Sequence, residues 1–120
     1  MPKLNVTSLG AEQTTLLMPL WARAEENRHP AALLRDDYAE SIVAQLDFPF
    51  QQFEEKAVRA VDYCLRASVF DQLVTEYLDA NPEATIVELG VGLDTRSKRI
   101  DNGRAHWIGL DFPEVIKLRN

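Results

Sequence analysis

The sequence predicts an α/β fold: N-terminal helices, then the first β-α-β of a doubly wound parallel sheet that is incomplete in this chain. Three observations predict it. Apolar residues recur at three- and four-residue steps from about Phe53 to Ala80, the mark of a long amphipathic helix. The run "ATIVEL" has the β-branched composition of a buried parallel strand. Two glycines one residue apart follow it, Gly90 and Gly92, and a second strand pattern, "AHWIGLD", comes after a short helix.

The elements follow in order. Residues 1–11 read as a frayed or loosely docked start. "TTLLMPLWARAEENR" reads as a short helix, with Pro19 in or near its first turn and Leu16, Leu17, Leu20 and Trp21 supplying apolar surface. His29-Pro30 breaks it. "RDDYAESIVAQL" reads as another helix, capped by Asp36 or Asp37, with Tyr38, Ile42, Val43 and Leu46 on one side. "DFPFQQF" reads as a loop, because Pro49 disfavours helix at Phe48. In the long helix, Val58, Val61, Leu65, Val69, Leu73 and Tyr77 form the apolar stripe, widened by Phe70, Val74 and Leu78; Asn81-Pro82 ends it. A short helix of about Asp94 to Ile100, a turn at "DNG" and a helix opening at "FPEVIKLRN" complete the pattern.

A chain of 120 residues has room for about one core. The expected division is a helical region at 1–82 and the start of a sheet domain at 83–120. Two parallel strands leave open edges and uncovered faces. The chain therefore reads as the N-terminal part of a larger protein, cut short or completed by another chain.

Composition narrows the function classes. A net charge of −6 argues against a broad nucleic-acid footprint or a polybasic membrane surface. The single cysteine, Cys64, excludes an intrachain disulfide and a Cys-rich metal site, which suits a reducing cytoplasm. No apolar run approaches the roughly 18 residues of a membrane helix, and the first ten residues have no signal core. Asn5-Val6-Thr7 matches a glycosylation sequon by chance. His29 and His106 are isolated and make no metal site. Asp36-Asp37 marks a helix start rather than a metal pair.

The stretch "TIVELGVGLDTRSKRI" carries the chemistry. A glycine directly after a strand permits a sharp turn, and a second lets a ligand approach the backbone without a Cβ in the way. The helix start behind it offers N–H groups to a carboxylate or phosphate. Asp111, 21 residues after Gly90, ends the second strand, where an acid accepts hydrogen bonds from both ribose hydroxyls of an adenosine cofactor.

A nicotinamide fingerprint places its third glycine where this chain has Thr95. The S-adenosylmethionine pattern has an acid two residues before the first glycine, where Glu88 stands, and often a third glycine, where this chain has Asp94. On spacing alone, a bland strand-to-helix turn with Asp94 as N-cap remains open. Arg96, Lys98 and Arg99 read as a basic cluster covering the outer face of the short helix, and Trp107 as packing.

"IVELGVGLDTRSKRI" with "WIGLDFPEVIKLR" resembles the leucine carboxyl methyltransferase family, which includes polyketide O-methyltransferases of the tetracenomycin type. "LWARAEENRHPAALLRDDYA" is similar to the family's N-terminal helices, and "LRASVFDQLVTEYL" to the helix that carries a cofactor-binding arginine. The resemblance spans roughly residues 16 to 119. It implies a Rossmann-like class I fold using S-adenosyl-L-methionine, with the helical region capping the cofactor.

By that resemblance Gly90 and Gly92 turn beside the methionine part of the cofactor, and Asp111 holds the ribose. Arg66 pairs with the cofactor carboxylate. Glu88, where the family often has Asn, orients the loop or approaches the cofactor's ammonium group. Arg23 lies near where a second basic contact would come from. Without the resemblance, Arg66 reads as a side chain that snorkels to solvent or pairs with Asp62, and Asp111 as a cap for the next helix.

The implied activity is an O-methyltransferase acting on a carboxylate or hydroxyl of a small molecule or peptide. No residue here can be assigned as a base, and the 120 residues alone are expected to be inactive. Two alternatives stay open: a nicotinamide-dependent oxidoreductase, and a non-catalytic interaction module with a degenerate β-α-β. The expected partners are a small-molecule or carboxyl-bearing methyl acceptor, with no nucleic acid and no membrane; a homodimer, or another chain completing the sheet, is also compatible.

Overall fold

The computed structural model describes residues 2–6, 9–10 and 13–120. The chain divides into two compact units, Met1–Ser68 and Val69–Asn120.

In the first unit, β1 (Leu4–Asn5) pairs in parallel with β2 (Leu46–Asp47). Of the two expectations for the start, frayed or loosely docked, residues 4–5 realise the docked one, and Val6 is buried. Helix α1 (Gln13–Glu26) holds Pro19 as its seventh residue rather than in its first turn. A mid-helix proline forfeits one backbone hydrogen bond. Burial of Leu17, Leu20 and Trp21 around it offsets that loss.

Helix α2 (Asp37–Gln45) starts at the cap Asp36, whose carboxylate accepts the Ala39 amide at 3.0 Å. Its buried residue is Ala39, whereas Tyr38, expected on the apolar side, is exposed. Much of the expected loop after α2 is a 3₁₀ segment, Phe50–Lys56; Phe50 meets Phe48 and Phe53 edge to face, while Phe48 and Phe53 are tilted at 31°. Phe53 also meets Trp21, with ring centroids 5.8 Å apart. The buried Cys64 thiol donates to the Ala22 carbonyl.

Helix α3 (Ala57–Ala80) begins four residues later than the apolar period suggested. Of its expected stripe, Val61, Leu65, Val69, Leu73 and Tyr77 are 48–56% exposed while Leu78 is buried; Cys64 and Ala67, outside the stripe, are buried too. The side chain of Val58 lies outside the described residues. Among the described residues no helix is long and apolar enough to cross a membrane.

The second unit carries β3 (Thr85–Leu89) and β4 (His106–Leu110), paired in parallel from Thr85↔His106 to Leu89↔Leu110. Between them, α4 (Arg96–Arg99) is a single turn capped by Thr95, shorter than expected and without Asp94 as its cap. The "DNG" turn closes through Asn102 Oδ1, which accepts the amides of Arg104 and Ala105. Helix α5 (Pro113–Arg119) starts with proline at its first turn, where the missing N–H costs nothing. Both strands keep apolar side chains exposed, among them Val87, Leu89, Ile108 and Leu110.

Candidate functional site

The turn after β3 is built as its glycines require. Gly90 has φ +62° and Gly92 φ +53°, left-handed values that cost an L side chain about 1–2 kcal/mol. A Cβ added to Gly90 would meet no atom within 4 Å, so the backbone there borders open space. The Val91 amide donates to the Leu110 carbonyl at 3.0 Å, which ties the turn to the end of β4.

Asp111 closes the arrangement. Its Oδ2 accepts the Gly92 amide at 2.8 Å, and its Oδ1 accepts the Phe112 amide at 2.7 Å. Asp111 is not the cap of the following helix, which is Phe112 without a side-chain cap bond; its carboxylate instead joins the glycine turn to the residue that opens that helix. Each carboxylate oxygen has a second lone pair, so the group can still accept two further donors.

Glu88 sits on β3 opposite Gly109. Its Oε2 is buried without a hydrogen-bond partner among the described residues. Burial first, and then the neighbouring Asp94, push its carboxyl up to about 7, against the lowering pull of Arg96 and Arg119.

Behind the turn lies a charge network that sequence reasoning did not find. Arg96 bridges Asp71 on α3 and Asp94, each at 2.9 Å. Arg99 joins the same two carboxylates, and its Nε donates to Thr95 Oγ1. Arg96 and Arg99 are thus largely withdrawn from solvent, where a basic outer face was expected. Arg119 Nη1 donates to the carbonyls of Gly92 at 3.2 Å and Asp94 at 2.6 Å. The sequence carried little signal for this network, since Asp71 lies 25 and 28 residues from the two arginines. Arg119 gave none.

Glu88, Gly90, Gly92 and Asp111 thus share the β3–β4 unit. Arg66 belongs to the first unit, where it is exposed on α3 with its guanidinium 5.9 Å from the Tyr63 ring. Arg23 is buried against Asp36 at 2.9 Å, so it is a structural ion pair rather than a second basic contact waiting for a ligand. Among the described residues no group of three or more metal-ligating side chains occurs.

A parallel β-α-β with a left-handed glycine turn, bonded to an acid at the end of its second strand, defines a small mixed helix-and-strand domain. The family model for leucine carboxyl methyltransferase matches residues 16–120, and the chain belongs to that family.

It is 37% identical over 109 residues to the tetracenomycin polyketide synthesis O-methyltransferase TcmP of Streptomyces glaucescens, covering 88% of this chain and 40% of that protein. It is 36% identical over 128 residues to the S-adenosyl-L-methionine-dependent methyltransferase dpfgK of Gibberella zeae, covering 98% and 42%. A putative S-adenosyl-L-methionine-dependent methyltransferase of Mycobacteroides abscessus is 32% identical over 127 residues, covering 95% and 40%. The chain thus spans about two fifths of the length of these curated relatives.

Proposed function

We propose that the chain is the N-terminal part of an S-adenosyl-L-methionine-dependent O-methyltransferase acting on a carboxylate or hydroxyl of a small molecule or peptide. In this reading residues 1–82 cap the cofactor and residues 83–120 open a Rossmann-like domain. The observation that carries it is the bond between the Gly92 amide and Asp111, made inside a chain of this family. The single buried thiol suits a cytoplasmic location, and the exposed strand faces suit a homodimer or completion of the sheet by further chain.

The residues present fit the cofactor. Gly90 borders open space, Asp111 keeps lone pairs for two ribose hydroxyls, and Glu88 Oε2 is an acceptor still to be matched, suited to an ammonium group. Arg66, exposed on α3, supplies the guanidinium for the cofactor carboxylate in this reading. When bound, the cofactor supplies an electrophilic methyl on a sulfonium. The chain's own tasks are then to fix the nucleoside through Asp111, to hold the amino-acid end near Gly90 and Gly92, and to exclude water. A carboxylate acceptor needs no general base, so this reading requires none from these residues.

Calorimetric titration of the full-length polypeptide carrying this segment tests the proposal. S-adenosylhomocysteine should bind, and Asp111→Ala should weaken it at least tenfold. Binding of NADH instead would move the assignment to an oxidoreductase. Binding of neither would leave an interaction module.

A further inference from the structure

Gly92 is held by both polar ends of its residue. Asp111 accepts its N–H, and Arg119 donates to its C=O. Those two side chains flank α5, one just before the helix and one at its last residue, so α5 acts as a splint across the turn. The same Arg119 nitrogen reaches the Asp94 carbonyl, two residues further on, where the charge network of Arg96 and Arg99 begins. A guanidinium suits this task, since it carries fixed, charge-assisted donors.

We propose that Arg119 is a positioning residue for the glycine turn, clamping the Gly92 and Asp94 carbonyls so that the turn is already shaped for the cofactor before it arrives. The inference deepens the methyltransferase reading and rests on it for the identity of the ligand. A preset loop spares a ligand the entropy of ordering it. The clamp itself is a property of the chain and can be measured without any ligand.

Three amides report on the turn: Val91 bonded to Leu110, Gly92 to Asp111, and Asp94 to Val91. The His106 amide, bonded to Ala84 at the far end of the strands, is the internal control. In Arg119→Gln, hydrogen exchange at the three turn amides should rise on the order of tenfold to a hundredfold, the effect of losing charge-assisted bonds. Exchange at His106 should stay unchanged. Arg119→Lys, which keeps a charged donor, should lie between.

Charge gives a second readout. Glu88 is faced by Asp94, Arg96 and Arg119, and Arg119 lowers its titration point. Arg119→Gln should therefore move the Glu88 carboxyl carbon signal to titrate above the wild-type value of about 7, whereas Arg119→Lys should not. Unchanged turn amides in Arg119→Gln, or acceleration that includes His106 equally, would overturn the clamp.

In the full-length polypeptide, Arg119→Gln should weaken S-adenosylhomocysteine binding with turnover at saturating cofactor retained. Wild-type protein that binds no such ligand would overturn the functional reading while the exchange result still decides the clamp. Unaltered affinity in Arg119→Gln would overturn its role in presetting the site.

Discussion

The Nε of Arg23 lies 2.9 Å from Oδ2 of Asp36, and both side chains are almost wholly withdrawn from water. Asp36 does more than neutralise that guanidinium. Its other oxygen accepts the Ala39 amide at the start of α2, and its own backbone N–H and C=O bond to the Asn27 side chain. A buried charge survives only when such partners replace its lost hydration. Asp36→Ala removes the cap and strips Arg23 of this carboxylate, so it should destabilise the chain by about 3–5 kcal/mol. Asp36→Asn keeps the cap and should cost less. Urea denaturation measures both, and a cost for Asp36→Ala within about 1 kcal/mol would show the pair to be incidental.

Glu88 gives the chain a predictable pH response. Its carboxyl titrates at about 7 in the folded chain, above the ordinary value of 4.5, because burial and then Asp94 disfavour its charge. The folded state therefore holds more protons than the unfolded state between those two values. Stability from this group is fully present below about 4.5 and is lost as pH rises through about 7. Glu88→Gln, which cannot ionise, should flatten the melting temperature across that window and melt higher than wild type at pH 8. Parallel pH profiles for the two proteins would remove Glu88 as the cause.

Much of this was legible in the sequence because it is local chemistry. Gly90 and Gly92 adopt the left-handed conformations that glycine alone takes cheaply, and Asp36 caps the helix it precedes. Asp111 stands at the end of β4, as its spacing from Gly90 indicated, but its bond to the Gly92 amide was not legible. What escaped depends on tertiary placement. An apolar stripe on α3 shows which face wants burial but not what stands opposite, and Leu65 and Leu73 are half exposed. Arg96 and Arg99 look like a solvated face in sequence, because Asp71, their shared partner, lies 25 and 28 residues away. The proline in α1 misled because propensity is a weak prior beside the packing of Leu17 and Leu20.

Gly109 tests packing within the strands. It has no special backbone, but an added Cβ would lie 3.0 Å from Val91 Cγ1 and 3.3 Å from Val91 Cβ. Val91 is buried in the glycine turn and tied by its amide to Leu110, so it has little room to yield. Gly109→Ala should cost about 1–3 kcal/mol by overpacking. Val91→Ala in the same chain should recover part of that loss, because the 3.0 Å contact with Cγ1 is removed and only the one with Cβ remains. A double-mutant cycle in denaturant checks the coupling, and strict additivity would deny the contact.

The exposed stripe on α3 makes the opposite prediction. Leu73 is 55% exposed, so Leu73→Lys should change the stability of the 120-residue chain by less than about 0.5 kcal/mol. Exposed leucine, valine and phenylalanine side chains on one helix favour association. Leu73→Lys should therefore lower the concentration-dependent self-association seen by sedimentation velocity. A large loss of stability would mean that Leu73 is packed in solution.

The left-handed turn itself can be tested by chirality. At Gly90, φ is +62° and an added Cβ meets open space, so substitution should cost only the backbone conformation. L-alanine there should destabilise by about 1–2 kcal/mol, the ordinary penalty of an L residue in that region. D-alanine, introduced by semisynthesis, prefers positive φ and narrows the unfolded ensemble, so it should be neutral or stabilising by up to about 1 kcal/mol. Thermal melts of the two epimers separate conformation from sterics, since both add the same methyl group. Equal melting temperatures would mean that Gly90 does not hold a left-handed conformation, and the turn after β3 would need a different shape.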